Sequence, residues 1–267
     1  MSESPDLENS PDLPDLPAAE GHPDLQQDLQ QDLYRRLREA AAEELAALVD
    51  GHAEELEPPA VRQVLRNPHC SAEVIERLAA ERRLVAFYEV QRDLALHPRT
   101  PEVLAARFVP GLYWRDLMDL GLDARLRPTL RRLADLHLGT RLPRLAVGEK
   151  ISLARRAGMG VLTQLRHDPS PRVVAALLDN PRMTEGILAP VAQSARTPPP
   201  ILELIAADRR WGVRYPLRLA LARNPVTPVD TAWRIVGTLR KTDLKAVAGD
   251  PRLPEPVRRR ARVLLEG

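Results

Sequence analysis

The residues best suited to binding chemistry lie in one short cluster of arginines and aromatic side chains, RRWGVRY at 209–215, with a further arginine one helical turn later. Guanidinium groups bind carboxylates and phosphates, and aromatic rings stack on bases or anchor a partner's side chain. The predicted partner-binding residues are Arg209, Arg210, Trp211, Arg214, Tyr215 and Arg218. The alternative interpretation makes Trp211 and Tyr215 core residues and leaves the arginines on a solvated face.

No other pattern predicts a catalytic residue, a cofactor or a metal ion. The six histidines are scattered and Cys70 is the single cysteine. His69-Cys70 is the only adjacent pair of metal-binding residue types, and no second pair exists to complete a tetrahedral metal site. Gly148-Glu149-Lys150 lacks the upstream glycine and the following Ser or Thr of a phosphate-binding loop, and is predicted to start a helix. Gly158-Met159-Gly160 lacks the third glycine of a dinucleotide fingerprint, and is predicted to be a turn between helices.

Charge is distributed unevenly along the 267 residues, whose net charge is +2. Residues 1–33 contain nine acidic residues and no lysine or arginine, so the chain from Tyr34 onward has 39 basic against 28 acidic residues. Two further arginine groups lie at 125–132 and 258–262. Such an excess of positive charge favours an acidic partner. It also predicts that the acidic segment covers the basic body, and that deleting residues 1–33 exposes binding.

The N-terminal 22 residues are acidic and rich in proline, a composition typical of disorder. They repeat the tripeptide Pro-Asp-Leu, which occurs at 5–7, 11–13 and 14–16 and again at 23–25. The segment is either a solvating tail or a short linear motif that docks on a basic groove of this chain or of a partner. No basic segment precedes an apolar run, and no apolar run reaches the ~18 residues of a membrane span, so a cytoplasmic location is predicted.

From Pro23 to about Glu57, leucines and alanines at a spacing of three and four predict one long amphipathic helix that caps the fold. Beyond it, a polar residue followed by proline recurs between short apolar helices. The prolines of these steps are Pro68, Pro98, Pro169, Pro225 and Pro251, with Asn180-Pro181 as a half-step and Ala195 in the proline slot of one copy. Their spacing of about 26–30 residues predicts two short helices per repeat. Candidates for degenerate copies between Pro98 and Pro169 are 112–122, 125–138 and 147–157.

Each residue of the step has a predicted structural role. The Asn or Asp tolerates a left-handed φ angle, and the following proline prevents the helix from continuing and pushes the residue before it out of the α region. His97 occupies the slot that asparagine holds in other copies, which predicts a capping role. A Ser or Thr two residues after the proline is predicted to accept a hydrogen bond from the next helix's first-turn amides. In Thr100-Pro101, Thr197-Pro198 and Thr227-Pro228 the proline is predicted to be the first helical residue.

The pattern L-A-x-N-P-x-T-P-x-x-V/A-x-x-[LI], as in LARNPVTPVDTAWRIV at 221–236, resembles the leucine-rich repeat variant family within the HEAT-like α-solenoids. The resemblance covers roughly 58–108 and 161–265, and the stretch 142–265 is similar to bacterial proteins of this class. It implies a right-handed superhelix of short α and 3₁₀ helices that is used for binding. Some relatives carry a Cys-rich iron–sulfur segment, which this sequence lacks, so no cofactor is implied.

The predicted fold is all-α: a right-handed α-solenoid of two-helix repeats behind an acidic, disordered tail. The predicted segments are the tail at 1–22, the N-terminal capping helix at 23–57 and the repeat solenoid at 58–267. The predicted function is a non-enzymatic protein-interaction scaffold that binds an acidic or peptide partner on its arginine-rich face. The alternatives are a nucleic-acid-binding module and, as in the HEAT-like glycosylases, an enzyme acting on DNA bases with Asp208 as its carboxylate.

Overall fold

A computed structural model describes residues 23–266 of the chain, with side chains from Gln27 onward. In this range the chain forms eighteen α-helices and no β-strand. The helices are α1 (Pro23–Glu39), α2 (Ala42–Gly51), α3 (Pro58–Arg66), α4 (Ala72–Ala80), α5 (Arg82–Val85), α6 (Tyr88–Leu96), α7 (Glu102–Phe108), α8 (Trp114–Leu122), α9 (Pro128–Arg141), α10 (Val147–Arg156), α11 (Met159–Leu165), α12 (Pro171–Leu178), α13 (Glu185–Gln193), α14 (Pro199–Ala207), α15 (Tyr215–Ala222), α16 (Val229–Val236), α17 (Lys241–Gly249) and α18 (Glu255–Glu266). The predicted disordered tail, 1–22, lies outside the described residues.

The helices pack mainly on helices one to three positions away in the chain. Examples are α1 on α3, α3 on α6, α10 on α12, α13 on α15 and α16 on α18. The core between them is built almost entirely of Leu, Val, Ile and Ala side chains. Since no single short helix can bury its apolar face alone, each depends on its neighbours along the chain. No helix among residues 23–266 is both long and apolar enough to cross a lipid bilayer.

The three candidate copies between Pro98 and Pro169 are confirmed as helices, because α8, α9 and α10 fall at the predicted places. The start of α10 also confirms the prediction for Gly148-Glu149-Lys150: the Glu149 carboxylate accepts a hydrogen bond of 2.9 Å from the Ala146 amide that precedes the helix. The prediction for Gly158-Met159-Gly160 is wrong in part. Only Gly158 lies in the turn, while the other two residues form the first turn of α11.

Three buried asparagines connect the end of one helix to the end of an earlier helix. Each side-chain amide donates to two backbone carbonyl groups, and each side-chain oxygen accepts from the amide two residues ahead. Asn67 donates to Leu37 and Ala40 (3.0 and 2.9 Å), Asn180 to Ala154 and Ala157 (2.7 and 3.2 Å), and Asn224 to Ala192 and Ser194 (2.8 and 3.0 Å). These bonds satisfy carbonyl groups that a helix end leaves without an intrahelical partner.

The asparagine bridge explains why the single long N-terminal helix is a wrong prediction. The chain forms α1 and α2, with Ala41 between them in an extended conformation (φ −66°, ψ 164°). The Leu37 and Ala40 carbonyls at this break accept the bonds from Asn67. Because those partners lie about 30 residues further along the chain, the leucine spacing of the segment itself does not reveal the break.

The helix-ending residues lie outside the α region, as predicted for a residue before proline, and they do not use the left-handed φ that Asn and Asp tolerate. Asn67, His97, Asp208 and Asp250 all have φ between −66° and −82° with ψ between 108° and 132°, which is extended backbone. Proline follows Asn67, His97 and Asp250, and its ring excludes the α region for the preceding residue. Asp208 has the same conformation before Arg209, and there its carboxylate accepts hydrogen bonds from the amides of Arg210 and Trp211.

The threonines after the step donate a hydrogen bond instead of accepting one. The hydroxyls of Thr100, Thr197 and Thr227 donate to the carbonyl six residues earlier, at 2.6, 2.7 and 2.7 Å. The proline after each threonine is accordingly the N-cap, and the helix begins one residue later than predicted. Ser71 caps its helix with its hydroxyl oxygen, which accepts from the Val74 amide at 3.3 Å, but it lies three residues after Pro68 and not at the predicted position.

Candidate partner-binding surface

Trp211, the central aromatic residue of the predicted site, is part of the core. Its side chain is 3% exposed, and its indole Nε1 donates to the Leu178 carbonyl at 3.1 Å. The neighbouring Gly212 allows this placement: a Cβ there would lie 2.3 Å from the Ala206 carbonyl oxygen. The position of Trp211 corresponds to the interpretation that treats it as a core residue, since a ring this buried offers no face to a partner.

The arginines of the predicted site do not converge on one point. The Arg210 guanidinium carbon lies 4.4 Å from the centroid of the Trp211 ring, and its Nη2 donates to the Met183 carbonyl at 3.4 Å. Arg209 and Arg214 are exposed, and no side-chain hydrogen bond or ion pair is recorded for either within the described chain. These two remain free for a partner, but the buried ring between them does not contribute to a shared site.

Tyr215, the second predicted aromatic residue, binds the start of the next helix. Its hydroxyl donates to the Asp243 carboxylate, and the same oxygen accepts a hydrogen bond of 3.0 Å from the Arg240 amide. Arg240 is the N-cap of α17 and Asp243 its third residue. The two bonds therefore cap α17 through a side chain of the preceding repeat. Arg218, whose guanidinium carbon is 5.7 Å from the Tyr215 ring, lies beside this contact.

The same capping device occurs earlier in the chain, which identifies it as structural. The Tyr88 hydroxyl donates to Asp116 and accepts from the Tyr113 amide at 2.9 Å, at the start of α8. Burial and the bond to the Asp116 carboxylate raise the pKa of Tyr88 to about 12. At the start of α10, the indole Nε1 of Trp114 donates to Glu149 at 2.9 Å. An aromatic donor thus reaches the third residue of a following helix at three places.

A cleft between α16 and α18 has the exposed aromatic group that the predicted site lacks. It has a volume of about 500 Å³ and is lined by Trp233, Glu255, Pro256, Arg259, Arg260 and Val263. Trp233 is 45% exposed and Val263 is 53% exposed. The Arg260 guanidinium carbon lies 4.4 Å from the centroid of the Trp233 ring. We call this site the α16–α18 cleft.

The α16–α18 cleft has two arginines without a carboxylate partner among the described residues. Its single acidic residue, Glu255, forms ion pairs with Arg258 at 2.6 Å and with Arg262. Neither Arg259 nor Arg260 forms an ion pair within the described chain. The cleft therefore combines an apolar floor with two guanidinium groups that are free to bind an anion.

A second basic feature lies in the turns at the ends of the helices. Six exposed arginines lie two residues after the helix-ending residue, and the backbone amide of each donates to that residue's side chain. They are Arg99, Arg125, Arg182, Arg196, Arg210 and Arg252, and we call them the turn-edge arginines. Several guanidinium groups bond to carbonyls of an earlier turn, such as Arg99 Nη1 to Cys70 at 2.9 Å. Arg125 and Arg252 instead form ion pairs of 2.7 Å with Asp123 and Asp250 of their own turns, so unpaired positive charge lies at the turns of the other four.

The residues considered for catalysis or metal binding have structural contacts. Asp208 Oδ1 accepts from the amides of Arg210 and Trp211, both at 2.8 Å, and so fixes the turn before α15. His97 accepts from the Arg99 amide at 3.3 Å, and burial lowers its pKa. Cys70 is fully buried, and desolvation raises the pKa of its thiol to about 11. Within residues 23–266 no group of three or more His, Cys, Asp or Glu side chains is placed to hold a metal ion.

Comparison with protein-family models, with curated proteins and with solved structures gives no match to this chain.

Proposed function

We propose that this chain is a non-enzymatic protein-interaction scaffold, built as a right-handed α-solenoid, that binds an acidic peptide partner. The solenoid is supported by contacts between helices close in sequence and by the asparagine bridges, which join chain segments 23–32 residues apart. A fold stabilised by such neighbour contacts presents equivalent positions of successive repeats along one surface. Membership of the leucine-rich repeat variant family is part of the same proposal, and rests on the sequence pattern.

The observation that carries the proposal is the exposed Trp233 beneath Arg260 in the α16–α18 cleft. Tryptophan and arginine are the residue types most enriched among the side chains that dominate binding energy at protein interfaces. The binding site is thereby moved from the Arg209–Arg218 cluster, whose tryptophan is buried, to α16 and α18. Covering the exposed part of the indole with a partner's apolar side chain contributes roughly 25 cal/mol per Å² of apolar surface removed from water.

The charge of the cleft favours an acidic partner. Arg259 and Arg260 are free of carboxylates in the described chain, whereas Glu255 is occupied by Arg258 and Arg262. A guanidinium–carboxylate bond formed beside an apolar surface is stronger than one in open water, because the local dielectric constant is lower. A short peptide with one acidic and one apolar side chain satisfies both halves of the cleft.

The test is selection from a displayed library of random peptides, performed with the wild-type chain and with two double variants of equal charge change. Arg259→Glu/Arg260→Glu reverses charge inside the cleft, and Arg209→Glu/Arg214→Glu reverses it in the originally predicted cluster. We expect the wild type and the second variant to enrich acidic peptides with an apolar residue, and the first to enrich none. Enrichment that survives in the cleft variant and disappears in the other would return the site to residues 209–218.

The turn-edge arginines favour a second candidate function, nucleic-acid binding. They repeat at successive turns and are exposed, as residues that contact a phosphate backbone would be. Binding through phosphates weakens steeply with salt, because each neutralised phosphate releases counterions. Fluorescence anisotropy with short single- and double-stranded DNA and RNA at two salt concentrations tests it. Tight, salt-sensitive binding that Arg182→Ala/Arg196→Ala weakens, and Arg259→Glu does not, would favour this function over the scaffold.

A further inference from the structure

The N-terminal segment of the chain is acidic, and its charge is complementary to the arginines of the α16–α18 cleft. Residues 1–22 hold six acidic residues and no lysine or arginine, and they include three copies of Pro-Asp-Leu at 5–7, 11–13 and 14–16. We propose that the cleft of one copy binds a Pro-Asp-Leu tripeptide from the N-terminal segment of a second copy. This inference rests on the proposed function, since it names the partner of the same cleft.

The three side chains of the tripeptide match the three kinds of surface in the cleft. Arg260 covers one side of the Trp233 ring, and the part of Trp233 that stays exposed is an apolar surface on which a proline ring packs. Arg259 and Arg260 provide charge-assisted hydrogen bonds for the aspartate carboxylate. Pro256 and Val263 provide apolar surface for the leucine. A tripeptide also matches the small size of a cleft of about 500 Å³.

The fourth copy, Pro23–Leu25, is excluded as the occupant because it is the first turn of α1. The copies at 5–16 lie outside the described residues and precede that helix. Having three copies on one chain raises the effective concentration of the motif near an occupied cleft, since a neighbouring copy can rebind when one dissociates.

Reach along the chain favours a second copy over the same copy. From α1 to α18 the route through helix contacts of three or more residue pairs takes ten packing steps of ~8–10 Å, roughly 80–100 Å along the packing route. The residues between Pro5 and Pro23 can span at most ~65 Å even when fully extended. Insertion into the same copy's cleft along this route would need a longer segment, whereas the cleft of a second copy sets no such limit.

The contact is head-to-tail, because the N-terminal segment and the cleft are different surfaces. Such heterologous contacts form rings or open chains, and their extent depends on protein concentration. The sequence-based prediction that the acidic tail covers its own basic body differs from this proposal in the copy to which the tail binds.

The decisive experiment mixes two full-length variants and measures their mass by sedimentation velocity. Arg259→Glu/Arg260→Glu disables the cleft and keeps the segment, whereas Asp6→Asn/Asp12→Asn/Asp15→Asn disables the segment and keeps the cleft. We expect the wild type to associate as its concentration rises and each variant alone to remain monomeric. An equimolar mixture should form a one-to-one complex, because each partner supplies what the other lacks. A mixture that stays monomeric would overturn the proposal.

Two matched controls separate specific docking from general attraction between opposite charges. Glu3→Gln/Glu8→Gln/Glu20→Gln removes the same charge outside the tripeptides, and Arg209→Glu/Arg214→Glu reverses the same charge outside the cleft. Both should associate like the wild type, whereas the Asp→Asn variant should stay monomeric at concentrations where the wild type associates, a loss of about tenfold or more in affinity. An equal loss of association in the Asp→Asn variant and in the Glu→Gln control would overturn the assignment of the Pro-Asp-Leu tripeptide to the cleft. Library selection of cleft-dependent acidic peptides without self-association would refute only this occupant, and loss of both results would refute the proposed function as well.

Discussion

Replacing Asn180 should show how much stability one asparagine bridge provides. The side chain is fully buried, donates to the carbonyls of Ala154 and Ala157 at 2.7 and 3.2 Å, and accepts from the Arg182 amide at 2.8 Å. Asn180→Ala removes all three bonds and leaves two buried acceptors without that donor. At ~1–3 kcal/mol for each buried polar group left unpaired, the free energy of unfolding should fall by about 2–6 kcal/mol. That is a large share of the ~5–15 kcal/mol of a typical domain.

Asn180→Asp provides a sharper test, because it preserves size and shape. The new carboxylate oxygen faces the two carbonyl oxygens where the amide donated, and burial next to acceptors disfavours its charged form. Asn180→Asp should therefore destabilise more than Asn180→Ala near pH 8. Because this environment raises the folded-state pKa of the introduced carboxyl above its unfolded value, the deficit should be smaller below the unfolded pKa and grow as pH rises.

The assay is urea unfolding followed by far-UV circular dichroism, with midpoint and slope both compared, because a chain of repeats need not unfold in one step. Asp208→Asn is the matched control: the side-chain bonds recorded for Asp208, from the amides of Arg210 and Trp211, are retained by an asparagine oxygen. It should change stability by less than about 1 kcal/mol. If Asn180→Asp were no more disruptive than this control, the bridge would not stabilise the packing of α12 on α10.

Three further results are expected. Gly212→Ala places a Cβ 2.3 Å from the Ala206 carbonyl oxygen, so the free energy of unfolding from thermal denaturation should fall by about 1–3 kcal/mol or more. A free energy of unfolding equal to that of the wild type would contradict the contact. Tyr215→Phe removes the hydroxyl that bonds Asp243 and should lower the free energy of unfolding, measured by urea titration, by about 1–2 kcal/mol, without changing peptide selection by the α16–α18 cleft. Cys70, buried and with a thiol pKa of about 11, should react with a disulfide reagent near pH 8 only as fast as the chain opens, and rapid labelling of the native protein would disprove its burial.

Helix positions could be predicted wherever a local steric rule determines them. Proline after Asn67, His97 or Asn224 excludes the helical conformation from the residue before it, so the ends of α3, α6 and α15 were determined by adjacent residues. The division of the N-terminal helix depended instead on the side chain of Asn67, about 30 residues away. The threonine hydroxyls likewise bond backward to the preceding helix, a choice of partner that the sequence pattern does not distinguish from capping.

Trp211 and Trp233 show which features of the sequence indicate whether an aromatic side chain is buried or exposed. Trp211 lies in a turn between α14 and α15, where no periodicity indicates its direction, and its burial depends on the distant Leu178 carbonyl. Trp233 lies inside α16, where the pairs Thr231-Ala232 and Ile235-Val236 form the buried face. A residue at 233 is rotated ~100° from position 232 and ~200° from position 235, and therefore points away from that face. An aromatic side chain on the polar side of an amphipathic helix, with Asp230 and Arg234 as neighbours, is the signal that predicts an exposed anchor, and it is present in the sequence alone.

The residues of the arginine-rich cluster at 209–215 are adjacent in sequence, whereas the α16–α18 cleft pairs Trp233 with Arg260 from a different helix. A binding surface in a chain of short helices is therefore better sought by comparing the outward faces of neighbouring helices than by scanning for contiguous motifs.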